Sequence, residues 1–373
     1  MTGILEDVLH DRADSLAAPD LDVAAMVRDG ERRARRGRVG VIAAVAASVA
    51  VVGALAVPAV LPDREPGSTV AVQPRAEPLV YAVGTSIHDG DTVIDTGVRI
   101  RALVQTESGY VVSDAAGDVL VVSGEGTDRV GRLADGEHPR FQTDGDLVAW
   151  VDASDGGSIA ALDVSEGTTV EVALASWPGR TVVAGVEREL GGAAQVAAVD
   201  GRTVYVSDRR GVLAWDPFGS GGTSLVAGPD GAEVEVVDVQ NGVFAYHVRG
   251  GTPAAKTEEF RVGTDLRTGR VLPVWGGRLS PDGGHLISET ADVNHVYDTA
   301  DGRRLPFDEG GYAFLVGYRW LDEDTYAGLG LATMESTTPD LLTCEVATGA
   351  CTLAVGRPAS VEDGLVLPIS EGW

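Results

Sequence analysis

Only two cysteines, Cys344 and Cys351, occur in the 373 residues, inside the stretch C-E-V-A-T-G-A-C. That scarcity excludes a four-cysteine zinc site and a disulfide-dense scaffold. Lysine is scarcer still: Lys256 is the only one among 29 basic residues, which face 56 acidic ones. The resulting net charge of −27 excludes nucleic acid as a partner, because a phosphate backbone is held by clustered lysine and arginine. Six histidines, at 10, 88, 138, 247, 285 and 295, show no metal-binding spacing, and H-E-x-x-H is missing. The G-x-S-x-G elbow, the P-loop and the dinucleotide fingerprint are missing too. No catalytic residue, metal ligand or cofactor is therefore assigned. Beyond residue 78 helical periodicity is also nearly absent, which excludes a helical bundle.

One long apolar run is present. Val39 to Leu61 carries no charge over 23 residues, and a membrane-spanning helix needs about 20. Arg32, Arg33, Arg35, Arg36 and Arg38 precede it, and Asp63 and Glu65 follow. The positive-inside rule then expects residues 1–38 in the cytoplasm and everything from 62 onward outside. Ala54-Leu55-Ala56 resembles a signal-peptidase site, but 38 residues are too many for the leading segment of a signal peptide. The expectation is a single-pass anchor in the cell membrane. Prolines at 62, 66, 74 and 78 mark 62–78 as an extended linker. In the tail, Ile4, Leu5, Val8, Leu9 and Leu16 recur at helical spacing, and Asp20 is a plausible cap for a second helix. So short a segment folds marginally, or on a cytoplasmic protein partner.

From 79 onward, short β-rich runs such as Y-V-V-S-D and T-V-Y-V-S-D alternate with Gly, Asp and Asn turns. Two series of turns recur. The first precedes an apolar strand: Ser108-Gly109, Asp144-Gly145, Asp200-Gly201, Asn241-Gly242, Asp282-Gly283, Glu323-Asp324 and Asp363-Gly364. Its steps are 36, 56, 41, 41, 41 and 40 residues. The second follows the next strand, with an acid trailed by glycine at Asp114, Asp163, Asp216, Asp265, Asp298 and Glu345. A unit of about 40–45 residues with four strands is one propeller blade. Six units show both turns. A seventh is split, with strands in 79–96 and in V-E-D-G-L-V-L-P-I-S near the C-terminus. The fold expected is an all-β propeller of seven four-stranded blades over 79–373, with six or eight as the alternatives.

L-S-P-D-G-G-H-L-I-S at 279–288, H-V-Y-D-T-A-D-G-R-R at 295–304 and V-L-A-W-D at 212–216 resemble repeats of the TolB-type and WD-repeat propellers. The resemblance covers most of 100–356 and implies the fold, with partners bound at the rim or in the central channel. It implies no activity. The layout of tail, anchor and outer domain resembles bacterial single-pass proteins that hold a sigma factor.

The carboxylate pairs Asp89/Asp91, Asp144/Asp146 and Asp322/Asp324 read as turn formers that hydrogen-bond their own backbone. Trp150, Trp215, Trp275 and Trp320 read as packing between blades. Cys344 and Cys351 fall on the two arms of a blade hairpin on the oxidising side of the membrane, where a disulfide is expected. The function expected is a membrane-anchored extracytoplasmic module that binds or senses a protein or small molecule. An exported propeller hydrolase or lyase and an envelope scaffold remain the alternatives.

Overall fold

The computed structural model describes residues 79–369 apart from 124–125, 134–140, 155–157, 174–194, 209–210, 220–223, 227–231, 253–254 and 291–292. The chain divides into two units, Met1–Gln73 and Pro74–Trp373, and the described residues belong to the second. The tail, the arginine cluster, the apolar run 39–61 and the linker 62–78 lie outside the described residues. Among the described residues no helix is long and apolar enough to cross a membrane.

The described chain is a succession of antiparallel meanders. The first contributes β1 (Val80–Val83), β2 (Ser86–Asp89) and β3 (Thr92–Asp95). The second holds β4 (Ile100–Gln105), β5 (Tyr110–Asp114), β6 (Asp118–Ser123) and β7 (Gly126–Arg132), and the third β8 (Gln142–Asp144), β9 (Leu147–Asp152), β10 (Ser158–Asp163) and β11 (Thr168–Ala173). The fourth holds β12 (Gln195–Asp200), β13 (Thr203–Asp208), β14 (Gly211–Trp215) and β15 (Ser224–Val226). The fifth is larger, with β16 (Glu233–Gln240), β17 (Val243–Thr252), β18 (Ala255–Gly263) and β19 (Arg270–Leu272). The sixth has β20 (Arg278–Leu279), β21 (His285–Thr290) and β22 (Val293–Asp298). The seventh has β23 (Phe314–Trp320), β24 (Thr325–Leu331), β25 (Asp340–Glu345) and β26 (Cys351–Val355). Last comes β27 (Leu365–Val366), which returns to pair with β1 and completes the order β27-β1-β2-β3.

Seven sheets thus form seven blades, and the split blade closes the ring as its sequence implied. Closure removes the free edge that an open array would expose. The sixth blade departs from the expected four strands. Its outer strand shrinks to one bridge, Tyr297 to Arg304, before Pro306 removes the next backbone donor.

The core is distributed around the ring. Each of seven clusters of buried residues joins two successive blades. Trp150 and Leu162 of the third blade pack with Val104 and Val111 of the second, and Tyr326 and Leu342 of the seventh with Ile287 and Val296 of the sixth. The last cluster seals the ring, setting Tyr318 and Leu329 of the seventh blade against Leu79, Leu365 and Leu367 of the first. The strands alternate residues toward the two neighbouring blades, so both sheet faces are apolar and the runs read as nearly continuous Val, Ala and Leu.

The two turn series sort by connection. From Asp144 to Asp324 the first series joins first to second strands; from Asp163 to Glu345 the second series joins third to fourth strands. Both therefore emerge on one face, since strand direction alternates. Two members of the expected series lie on the other face. Asp114 sits between second and third strands, and Asp363-Gly364 precedes the inner strand β27 instead of following one. An Asp-Gly turn reads the same at either end of a strand, which is why spacing alone merged them.

Candidate ligand site in the central channel

The inner strands β4, β8, β12, β16, β20, β23 and β27 run side by side around the axis. Leu103 of β4 bridges in parallel to Pro368 just beyond β27. Four of them, β4, β12, β16 and β23, carry a bulge against their second strands, which bends the strand and re-aims a side chain. Between them lies a cavity of about 410 Å³ lined by every blade, a size that suits a small organic ligand or one end of a chain.

Its wall mixes polar and apolar groups. Gln105 and Thr106 come from the second blade, Gln142 and Thr143 from the third, Val199 from the fourth and Asp238 and Gln240 from the fifth. Arg278 comes from the sixth, Tyr318, Arg319 and Trp320 from the seventh, and Pro368 and Ile369 from the first. Arg319 donates from Nη1 to Gln105 Oε1 at 2.8 Å, a link between strands 214 positions apart. Burial pulls its pKa below the usual arginine value, opposed by Tyr318, and the group stays charged. The Trp320 indole donates to the Arg278 carbonyl at 2.9 Å, holding that segment of β20 against the seventh blade. Among the described residues the Arg278 guanidinium makes no hydrogen bond, and the Thr143 hydroxyl is buried with no partner.

Asp238, at the β16 bulge, is almost wholly buried and accepts the Val239 amide at 2.8 Å and the Leu279 amide of the next blade at 2.8 Å. Burial raises its pKa; the Arg278 charge and these amides oppose that rise.

A belt of turns frames the channel mouth. Asp146 accepts the Ser108 amide at 2.8 Å and its hydroxyl at 3.0 Å, and Asp144 accepts the Gly201 amide at 2.6 Å. Asp200 accepts the Asn241 and Gly242 amides, both at 2.9 Å. Asn241 Nδ2 donates to the Asp282 carbonyl at 3.2 Å, and His285 Nε2 lies 3.9 Å from Asp324. Each contact crosses from one blade to the next. Asp144 and Asp146 were expected to serve their own turns, and both reach a neighbour's, because adjacent turns converge around the axis. Asp282 and Asp322 do cap their own turns, through Gly284 and Asp324 amides. Gly145, Gly201, Gly242 and Gly283 supply the positive φ these turns need, as does Asn241 at 49°. At Gly283 a second demand applies, since a Cβ would lie 2.7 Å from Val243 and 2.8 Å from the Gln240 carbonyl of the fifth blade.

The remaining expected groups separate. Cys344 and Cys351 are opposite partners of β25 and β26 and form the disulfide, with Cα atoms 4.0 Å apart. It staples the seventh blade's outer hairpin, away from the channel wall. Trp150 and Trp215 are buried between blades, but Trp275 is 70 % exposed, because it falls in the connection after β19 and not on a strand. His88, His247, His285 and His295 stand on four different strands or turns, and no group of three metal-binding side chains occurs among the described residues. The channel arginines were not singled out from the sequence. Their signal is positional: a charge four residues ahead of Asp282 and of Glu323, inside an otherwise apolar inner strand.

No protein-family profile matches this chain, and no curated protein matches it in sequence. Among solved structures it is similar to the computationally designed protein Ika8, at 14 % identity over 75 % of this chain and 88 % of that one, TM-score 0.44. It is also similar to BamB from Moraxella catarrhalis, at 15 % identity over 78 % of this chain and 91 % of that one, TM-score 0.36. The propeller assignment rests on the strand connectivity itself.

Proposed function

We propose that this chain is a binding propeller, held outside the cell membrane by the 39–61 segment, whose protein partner docks on the belted face and enters the channel mouth. The observation that carries this reading is the belt. Turns from five blades, the second to the sixth, are hydrogen-bonded one to the next into a frame around an open, polar cavity, and a frame already fixed loses little conformational entropy on binding. Its acids, Asp146, Asp200, Asp282, Glu323 and Asp324 among them, outnumber Arg202 and Arg267 on the same face. The partner surface that complements them is basic. On this reading the five tail arginines keep residues 1–38 inside, residues 62–78 join the anchor to the propeller, and the short tail offers a site for a cytoplasmic protein to which an occupied propeller is reported.

The test is photo-crosslinking from the full chain in its native membrane, with the reactive residue at Glu323 on the belted face or at Glu362 on the opposite face. A crosslinked protein obtained from Glu323 alone is the expected result. Equal yields from both positions, or none from either, overturn the docking face. Capture with and without residues 1–31 then tests the relay: loss of a cytoplasmic protein on deletion is expected, and identical captures remove that half of the reading.

A further inference from the structure

Cations are scarce in this chain, and several on its surface pair with acids. Arg249 is paired with Glu235 and Glu258, and Arg129 with Asp118. Arg278 and Arg319 are different. They occupy inner strands of adjacent blades and line one cavity. Both residues are half-buried, and a guanidinium that faces a cavity is a ready partner for an anion. Arg319 has one acceptor in Gln105. The Arg278 charge acts on Asp238 at a distance, but the two make no ion pair within 4 Å, and the Asp238 oxygens accept the Val239 and Leu279 amides. Gln142, Thr143 and Gln240 line the same cavity, and the Gln142 amide adds a donor. At the rim stand Asp144 and Glu107.

We propose that the channel is a carboxylate-binding site in which Arg278 and Arg319 are the recognising groups. The proposal deepens the binding role given above by naming what enters the mouth. Guanidinium groups match the two oxygens of a carboxylate in a plane. The acidic rim disfavours a dianion or polyanion and favours a ligand that carries positive or hydrogen-donating groups behind its carboxylate. Two sources share that chemistry: the free C-terminus of a basic partner chain, and a free small acid.

Calorimetric titration of the full chain in detergent, at low salt, distinguishes them. The probes are trialanine, trialanine amide, 4-aminobutyrate and inorganic phosphate. The expected result is saturable binding of trialanine or 4-aminobutyrate, with the amide weaker by about tenfold or more, the loss of one charge-assisted contact. Trialanine tighter than 4-aminobutyrate assigns the site to a chain end, and the reverse order assigns it to a free acid. Arg278→Gln should weaken the carboxylate by about tenfold or more, whereas Arg249→Gln should leave it unchanged. Arg278→Gln removes no side-chain hydrogen bond among the described residues, and an unchanged melting temperature shows that it folds even if Arg319→Gln does not. Acid and amide binding alike, phosphate binding as tightly as either carboxylate, an unaffected Arg278→Gln variant, or no saturable binding overturns the proposal. Crosslinking from Glu323 is read independently, so a docking face without a carboxylate site and a site without a docking face give different results.

Discussion

The belted face and the face opposite it are fastened by different means. On the belt, exposed carboxylates reach the backbone of the next blade through short turns of nearly constant length. On the opposite face the fastening is buried. Asp152 has no exposed surface and accepts the Arg132 amide of the preceding blade at 2.7 Å, the Trp150 indole at 2.9 Å and the Ser154 amide at 2.7 Å. Connections between blades also leave from that face and vary widely, from the four residues Thr96–Arg99 to the stretch that includes 174–194. The 56-residue step in the turn series is this long connection. One face thus keeps a uniform frame around the channel while the other absorbs insertions, the division expected where one side presents a site.

The comparison breaks most severely at Asp152. Asp152→Ala leaves three donors without a partner beside Trp150 and should cost about 3–5 kcal/mol in urea unfolding; a loss below that of any belt carboxylate would reverse the ranking of the faces. This group also gives the comparison a pH signature. Burial works to raise its pKa, but the Ser154, Arg132 and Trp150 bonds prevail and hold it below the usual carboxylate value. The stabilisation is full above about pH 4 and is lost as pH falls through the lowered folded-state value. Unfolding at pH 7 and at pH 3 should show the gap between wild type and Asp152→Asn narrowing in acid, and a constant gap would refute the assignment.

Glycines sharpen the contrast next. Gly283 on the belt and Gly84 on the opposite face share a positive φ, 73° and 63°, yet only at Gly283 would an added Cβ meet a neighbouring blade. Gly283→Ala combines backbone strain with overpacking and should cost about 2–4 kcal/mol. Gly84→Ala, with open space around it, should cost about 1–2 kcal/mol. Equal melting temperatures would show that close packing of adjacent turns contributes nothing. Removing the Cys344–Cys351 staple, which acts within one blade, should lower stability by about 2–3 kcal/mol, the entropy of its short loop, and leave trialanine binding unchanged; altered binding would tie the staple to the channel.

The smallest effects separate belt carboxylates from one another. Asp200→Ala frees two amides of the next blade and should cost about 1–2 kcal/mol. Asp163→Ala, whose bonds stay within its own turn at Ser165 and Glu166, should change stability by about 0.5 kcal/mol. Indistinguishable variants would mean that the belt is a chain of independent turns.

Asn241-Gly242 was legible as a tight hairpin because few residues other than Gly, Asn and Asp adopt positive φ at low cost. The split blade was legible because strand-like sequence at 80–95 and 365–366 lacked partners of its own. Asp363 was not correctly placed, since its local chemistry is that of any Asp-Gly turn and only the pairing of β27 with β1 shows which end of the strand it caps. Trp275 was misplaced for a similar reason: an aromatic beside a strand looks the same whether its side chain faces a blade or water.

The sequence by itself determined the local structure of this protein: where strands start and stop, how each turn closes, that the two cysteines oppose each other, and that about 42 residues make a unit. These depend on backbone sterics and on hydrogen bonds between near neighbours. The tertiary structure decided what ring closure creates. Asp200 meets Gly242, Asp238 meets Leu279 and Arg319 meets Gln105 only because seven sheets close into a ring that returns the last strand to the first. Contacts across 41 to 214 positions arise from the packing of all blades at once, and the channel, its two arginines and its belt exist only at that level.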